Sequence, residues 1–177
     1  MPVISGGQVQ PGRLMYVNAG APTAGTNEVQ TLTIGGTPTG GTFKLAFNGE
    51  TTGDITWSST NSTLVANIDA ALEALSQIGT GGVTTAVGTM TSGIGTITIT
   101  FDGGTVGKRA VPTMTVANNS LTGTSPTLAV AETTAGVDAT AVGALKGALL
   151  SDSTNGILYI NTGADGLPTW TKVGTQT

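Results

Sequence analysis

Catalysis needs a nucleophile, a base or a set of metal ligands, and this chain is poor in all three. It has no histidine and no cysteine. An imidazole base, a thiolate, a Cys/His zinc site, a Ser-His-Asp triad and any disulfide are therefore excluded. Carboxylates remain, since Asp and Glu together number 10. One pair stands out by spacing: Asp69 and Glu73, four residues apart in a helix-like run. Carboxylates one helical turn apart share a face. They could divide acid and base roles if a cleft enclosed them. The apolar residues of that run lie on the other face, so the pair reads as solvated helix surface.

The second candidate is residues 102–108, Asp-Gly-Gly-Thr-Val-Gly-Lys, which is glycine-rich and ends in lysine. A phosphate loop needs glycine where Asp102 stands and Ser or Thr where Arg109 stands. It also needs a helix behind it, and here the loop simply follows a strand. No catalytic residue, cofactor or metal is expected. Lys and Arg number only 6, the net charge is −4, and Lys108-Arg109 is the only adjacent basic pair. A nucleic-acid ligand needs clustered cations to displace counterions, so none is expected. No stretch approaches the ~18–20 apolar residues of a membrane span. Residues 1–7 lack the basic start and apolar run of a signal peptide, so synthesis in the cytoplasm is expected, with no membrane partner.

With so little chemistry to position, the elements carry the reading. Residues 96–101 alternate Thr-Ile-Thr-Ile-Thr-Phe, and residues 29–34 and 42–47 repeat that alternation. Period two marks a strand with one wet and one buried face. A loop is expected over 35–41, and Asn48-Gly49 signals a tight hairpin to a strand at 52–57. Residues 62–78 switch period: Leu64, Val65, Ile68, Ala71, Leu72, Leu75 and Ile78 recur at helical spacing. Thr60, Asn61 or Ser62 can cap its start, and Gly79 can end it. Strands follow at 83–90, 95–101, 111–117 and 127–131. The expected fold is mainly β: a β-sandwich-like antiparallel domain over 28–134 with one inserted helix near 62–78. Charged residues make up only 9% of the chain, so a surface with weak self-repulsion tolerates close packing in an assembly.

The flanks differ. Residues 1–27 are Gly-, Pro- and Ala-rich, yet contain Val3, Ile4, Leu14, Met15, Tyr16 and Val17. A loose tail is one reading. The apolar content favours an extended arm that orders against a partner. Residues 135–177 read as a linker and a small β module, with strands near 148–152, 157–161 and 169–173. Three short strands bury too little alone. They pack either on the main domain or on copies from other subunits. Leu158, Tyr159, Ile160, Trp170 and Val173 are the candidate contacts.

Several stretches occur in an order that resembles a known family. They are residues 27–34 (Asn-Glu-Val-Gln-Thr-Leu-Thr-Ile), 41–45, 70–75, Val111-Pro112, 121–126 (Leu-Thr-Gly-Thr-Ser-Pro) and 133–136. Together they resemble a β-rich module of head proteins from tailed bacteriophages, especially those of actinobacteria. Residues 156–163 and 168–174 resemble the closing segment of phage head-fibre and decoration proteins. The resemblance implies a structural virion protein that decorates the outer capsid surface and stabilises the lattice, with the major capsid protein as partner and a homo-oligomer, commonly a trimer. It carries no catalytic motif. Under this reading Val3, Ile4, Leu14, Tyr16 and Val17 are expected to contact the capsid. The alternative is a head-fibre or adhesion module that binds a host-surface glycan or receptor.

Overall fold

The period-two runs form strands in the computed structural model, which describes residues 15–176. The elements are β1 (Met15–Asn18), β2 (Glu28–Phe47), β3 (Glu50–Thr51), β4 (Ile55–Thr56), α1 (Asn61–Glu73), β5 (Val83–Thr91), β6 (Ile94–Phe101), β7 (Thr115–Thr134), β8 (Leu149–Asp152), β9 (Ile157–Asn161) and β10 (Trp170–Lys172). The protein is mainly β, with two sheets and one helix among the described residues. The chain divides into two units. The larger is Thr26–Val137. The smaller combines the segments before and after it, so residues 15–18, expected in a separate arm, join the C-terminal strands in one sheet.

The larger unit is built around β2. Residues 29–46 pair antiparallel with β7, while 28–34 pair with β6, 42–43 with β4 and 46–47 with β3. A strand has two edges, so β7 must run along one and β6, β4 and β3 along the other. A straight strand of 20 residues would span about 60 Å. Yet Phe47, at its end, stacks on Phe101 with ring centroids 5.2 Å apart, and Phe101 pairs with Glu28 at its start. The β2–β7 ribbon therefore doubles back on itself and forms two layers over one core.

The turn of the ribbon falls at the expected loop 35–41, but pairing continues through it. Register shifts lie at Gly35/Thr37 and Pro38/Gly40. Bulges bend a ribbon without breaking it. The side chain of Asn119 accepts from the Leu121 N–H at 3.2 Å and donates to the Pro126 carbonyl at 3.1 Å, clasping the bend. At Asn48-Gly49 both residues have positive φ (46° and 87°), as a two-residue hairpin turn requires.

Three local expectations are corrected. The strand expected at 52–57 is reduced to β4, with β3 falling before it at Glu50–Thr51; between them the Thr52 hydroxyl accepts the Leu45 N–H at 3.1 Å where the ladder would otherwise continue. Residues 111–114 are not a strand: buried side chains of β2 hold them instead. Glu28 accepts the Val111 N–H at 2.8 Å, and Gln30 accepts the Met114 N–H at 2.8 Å while donating to the Pro112 carbonyl. Helix α1 ends five residues early, although turns carry its apolar face on through Leu75 and Ile78, both buried. Its N-cap Thr60 makes no side-chain cap bond. The Asn61 side chain is engaged elsewhere, donating to the Met90 carbonyl and accepting the Gly93 N–H at 2.8 Å. Leu64, Ile68 and Leu72 of the helix meet Leu32, Phe43, Leu45, Ile97 and Ile99 in the core.

The smaller unit has the strand order β1-β8-β9-β10, with β1 parallel to β8 and the rest antiparallel. Two buried polar side chains fix its loops. Asn161 donates to the carbonyls of Ala144 and Leu145 and accepts the N–H groups of Gly163 and Thr169. Asp152 accepts from the Asn155 amide and from the N–H groups of Asn155, Thr154 and Gly20. The Asn155 amide, aided by those N–H groups, holds the Asp152 carboxyl below its ordinary value. A depressed native pKa favours the folded state fully above the unfolded value of about 3.9 and loses that favour as pH falls through the lower native value. Acid unfolding of this unit, followed by Trp170 fluorescence, is therefore expected to move to higher pH in Asp152→Ala. An unchanged acid midpoint would show that these bonds contribute nothing.

Candidate interaction surface

The carboxylates singled out for possible chemistry serve as backbone caps. Asp69 accepts the Thr85 N–H at 3.2 Å and its hydroxyl at 2.8 Å, and Glu73 accepts the Gly81 N–H at 2.7 Å. The two are thus committed to different segments. In the 102–108 loop the N–H groups of Val106 and Gly107 donate to the Gly103 carbonyl, and those of Asp102 and Gly103 donate to Gly82. They do not converge on an anion. Among the described residues no group of three or more Asp, Glu, His or Cys could hold a metal ion.

What the fold does assemble is a sheet with two unlike faces. In the smaller unit the register sets Tyr16, Leu150, Tyr159 and Lys172 in one row across the strands, with Asp152, Asn161 and Trp170 on the same side. That side is covered except at Lys172 on the edge strand, which is exposed. Leu150 and Asp152 are fully buried and Tyr159 nearly so. Tyr16 meets Trp170 edge-to-face at 6.2 Å, and the Trp170 indole N–H donates to the Thr140 carbonyl at 2.8 Å.

The other face carries Met15, Leu149, Ile160 and Thr171 in one row and Val17, Ser151 and Leu158 in the next. Val173, whose N–H donates to the Leu158 carbonyl, extends the second row. No charged side chain lies in either row. Met15 is 60% exposed, Val17 73% and Val173 38%. Five large apolar side chains are exposed among the described residues, and three of them lie here. Leu149, Leu158 and Ile160 are half-buried.

The candidate contact residues named from the sequence are thereby sorted by face. Val17, Leu158, Ile160 and Val173 share the open one; Tyr16, Tyr159 and Trp170 share the covered one. Val3, Ile4 and Leu14 lie outside the described residues. Leu149 was not singled out, because its place depends on β1 pairing with β8 more than a hundred residues later. Met15 stood only among the apolar residues of the arm, although the alternation of Met15 and Val17 was a local signal for one face.

No family model matches the chain, and no curated protein does. Among solved structures it is similar to a chain from Mycobacterium phage Patience, at 23% identity and a TM-score of 0.42. The match covers 82% of this chain and 49% of the other. The chain thus spans about half the length of that protein.

Proposed function

We propose that this protein is a structural virion component that sits on the outer capsid surface of a tailed phage, contacts the major capsid protein and stabilises the lattice as a homo-oligomer. The observation that carries the reading is the open, charge-free apolar face of the smaller sheet. A protein that offers such a face, and whose acidic side chains cap backbone, is suited to assembly and not to turnover. The ordered sequence stretches that resemble phage head and decoration proteins point the same way. In this reading the protein is not an enzyme and binds neither nucleic acid nor membrane. Ligation to an assembled lattice but not to its free subunits stabilises that lattice by mass action, and several linked contacts add avidity.

The adhesion reading has less support. Sugar recognition favours open aromatic platforms, and no aromatic ring among the described residues is exposed. Trp57 and Trp170 both spend their indole N–H on backbone carbonyls.

The test is binding of the purified protein to expanded capsids that lack it, with unassembled capsid protein as control. Saturable binding to the lattice alone is expected. Absence of binding would overturn the reading and bring the host-surface alternative forward. Removing residues 1–13 leaves β1 intact and is expected to weaken lattice binding at least tenfold. Full binding by the truncated chain would remove the arm, with Val3 and Ile4, from the contact.

A further inference from the structure

We infer that Asn48 is a site of spontaneous covalent modification: its side-chain amide is lost by attack of the Gly49 nitrogen, while three like sites elsewhere in the chain are held inert by the fold. The inference is independent of the capsid reading above.

The chemistry needs only two residues and water. In an Asn-Gly or Asp-Gly pair the glycine nitrogen gives up its proton to water or hydroxide and attacks the side-chain carbonyl carbon of the residue before it. For asparagine the Cγ–Nδ2 bond then breaks, ammonia leaves with a proton from solvent, and a five-membered succinimide closes. For aspartate, water leaves instead. A water molecule reopens the ring at either carbonyl, giving aspartate or, with the main chain rerouted through Cβ, isoaspartate. For asparagine the balance is amide plus water to acid plus ammonia, with nothing oxidised or reduced. Glycine suits the step because no Cβ obstructs its nitrogen. The chain contains four such pairs: Asn48-Gly49, Asp102-Gly103, Asn155-Gly156 and Asp165-Gly166.

The fold treats the four differently. An N–H held by an acceptor must break that bond before its nitrogen can swing onto Cγ. The Gly103 N–H donates to the Gly82 carbonyl at 3.1 Å, that of Gly156 to the Asp152 carbonyl at 2.9 Å and that of Gly166 to the Ala144 carbonyl at 3.1 Å. The Gly49 N–H alone of the four has no acceptor among the described residues. It is a central N–H of a two-residue turn, whose pairing runs between Phe47 and Glu50. Exposure does not separate the two asparagines, since both are exposed; bonding does. The Asn155 amide and N–H both donate to the Asp152 carboxylate, at 2.7 and 3.0 Å, whereas the Asn48 amide makes one bond, to the Gln77 side-chain oxygen at 3.1 Å. No heavy atom lies within 4 Å of a Cβ added at Gly49, so water reaches the reacting atoms. Beyond the turn β3 has only Glu50 and Thr51, and segments held by few bonds open most cheaply. A carboxylate at position 48 cannot donate to Gln77, and isoaspartate adds a main-chain carbon to a turn built for two residues. The product therefore loses the contact between this hairpin and the segment that follows α1.

Peptide mapping by mass spectrometry tests this on the full wild-type chain, held for days at mildly alkaline pH, with the same chain in denaturant alongside. In the folded protein, conversion of amide to acid is expected to run at least tenfold faster at Asn48 than at Asn155. Labelling by an isoaspartyl methyltransferase should mark the peptide that contains position 48 before any that contains Asp102 or Asp165 is marked there. In denaturant Asn48 and Asn155 should react at similar rates, because the fold and not the neighbouring sequence sets the difference. Equal rates at the two asparagines in the folded protein would overturn the inference. So would a tenfold difference that persists in denaturant, conversion of Asn48 only after unfolding, or isoaspartate that forms first at Asp102 or Asp165.

Discussion

Gly123→Ala is expected to lower the melting temperature of the larger unit by roughly 10 °C or more. Gly123 has φ +128°, a conformation that side chains rarely adopt, and a Cβ there would overlap the Thr37 carbonyl oxygen and press on Pro38. Both obstacles are backbone, so no flexible group can yield. The dihedral strain costs on the order of 1–3 kcal/mol, and parting the ribbon to relieve the overlap adds to it. At about 4–8 °C per kcal/mol for a domain of this size, a loss near 3 kcal/mol gives the stated shift. The site matters because the ribbon must double back there: Gly123 pairs with Pro38 at the bend that brings Phe47 onto Phe101. The control is Gly53→Ala, where no heavy atom lies within 4 Å of the added Cβ. That variant should be neutral or slightly stabilised through the unfolded chain. Equal melting temperatures for the two variants would mean that the bend is not rigidly built.

That bend shows where local sequence runs out. The alternation at 31–34, 42–47 and 96–101 identified buried and wet faces correctly, since Leu32, Ile34, Phe43, Leu45, Ile97 and Ile99 are all buried, whereas at 29–30 it is the polar Gln30 that is buried. Asn48-Gly49 and strand 157–161 were legible for the same reason: their signals lie within a few residues. The glycines at 35–41 marked a change of direction, but two outcomes share that signal. A loop abandons pairing, whereas a bulged corner keeps it, and the choice depends on β7 lying alongside some eighty residues later. Residues 111–114 misled for a related reason. Their apolar character suited a strand, but the buried side chains of Glu28 and Gln30 had already taken the bonds that a ladder would use. The open face of the smaller sheet was half legible. Leu158, Ile160 and Val173 alternate along one strand and its neighbour, which the period reveals. Tyr159 and Trp170 drew notice for their size, and the strand register places them on the covered side.

Phe101→Ala is expected to cost about 3–5 kcal/mol, the range for deleting a fully buried phenylalanine, which would leave the larger unit near the limit of stability for a domain. Phe101 is 0% exposed and is among the largest buried side chains of the core. It stands where β6 meets the start of β2 and β5, opposite Glu28 and Val83, and it carries the ring stack to Phe47 from the other end of the doubled ribbon. Truncation opens a cavity between the two layers and removes a contact that ties them. Phe101→Leu separates the two effects. It retains most of the volume, so packing alone predicts a loss under about 1.5 kcal/mol, and the aromatic pair accounts for roughly 0.5–1.5 kcal/mol beyond area. Chemical denaturation of both variants reads the difference directly. If Phe101→Ala lost less than about 1 kcal/mol, the two layers would not depend on this contact, and the doubling back would have to be held by the ribbon's own backbone. In that case Gly123→Ala would remain the more damaging change, and the order of the two variants would identify which device closes the fold.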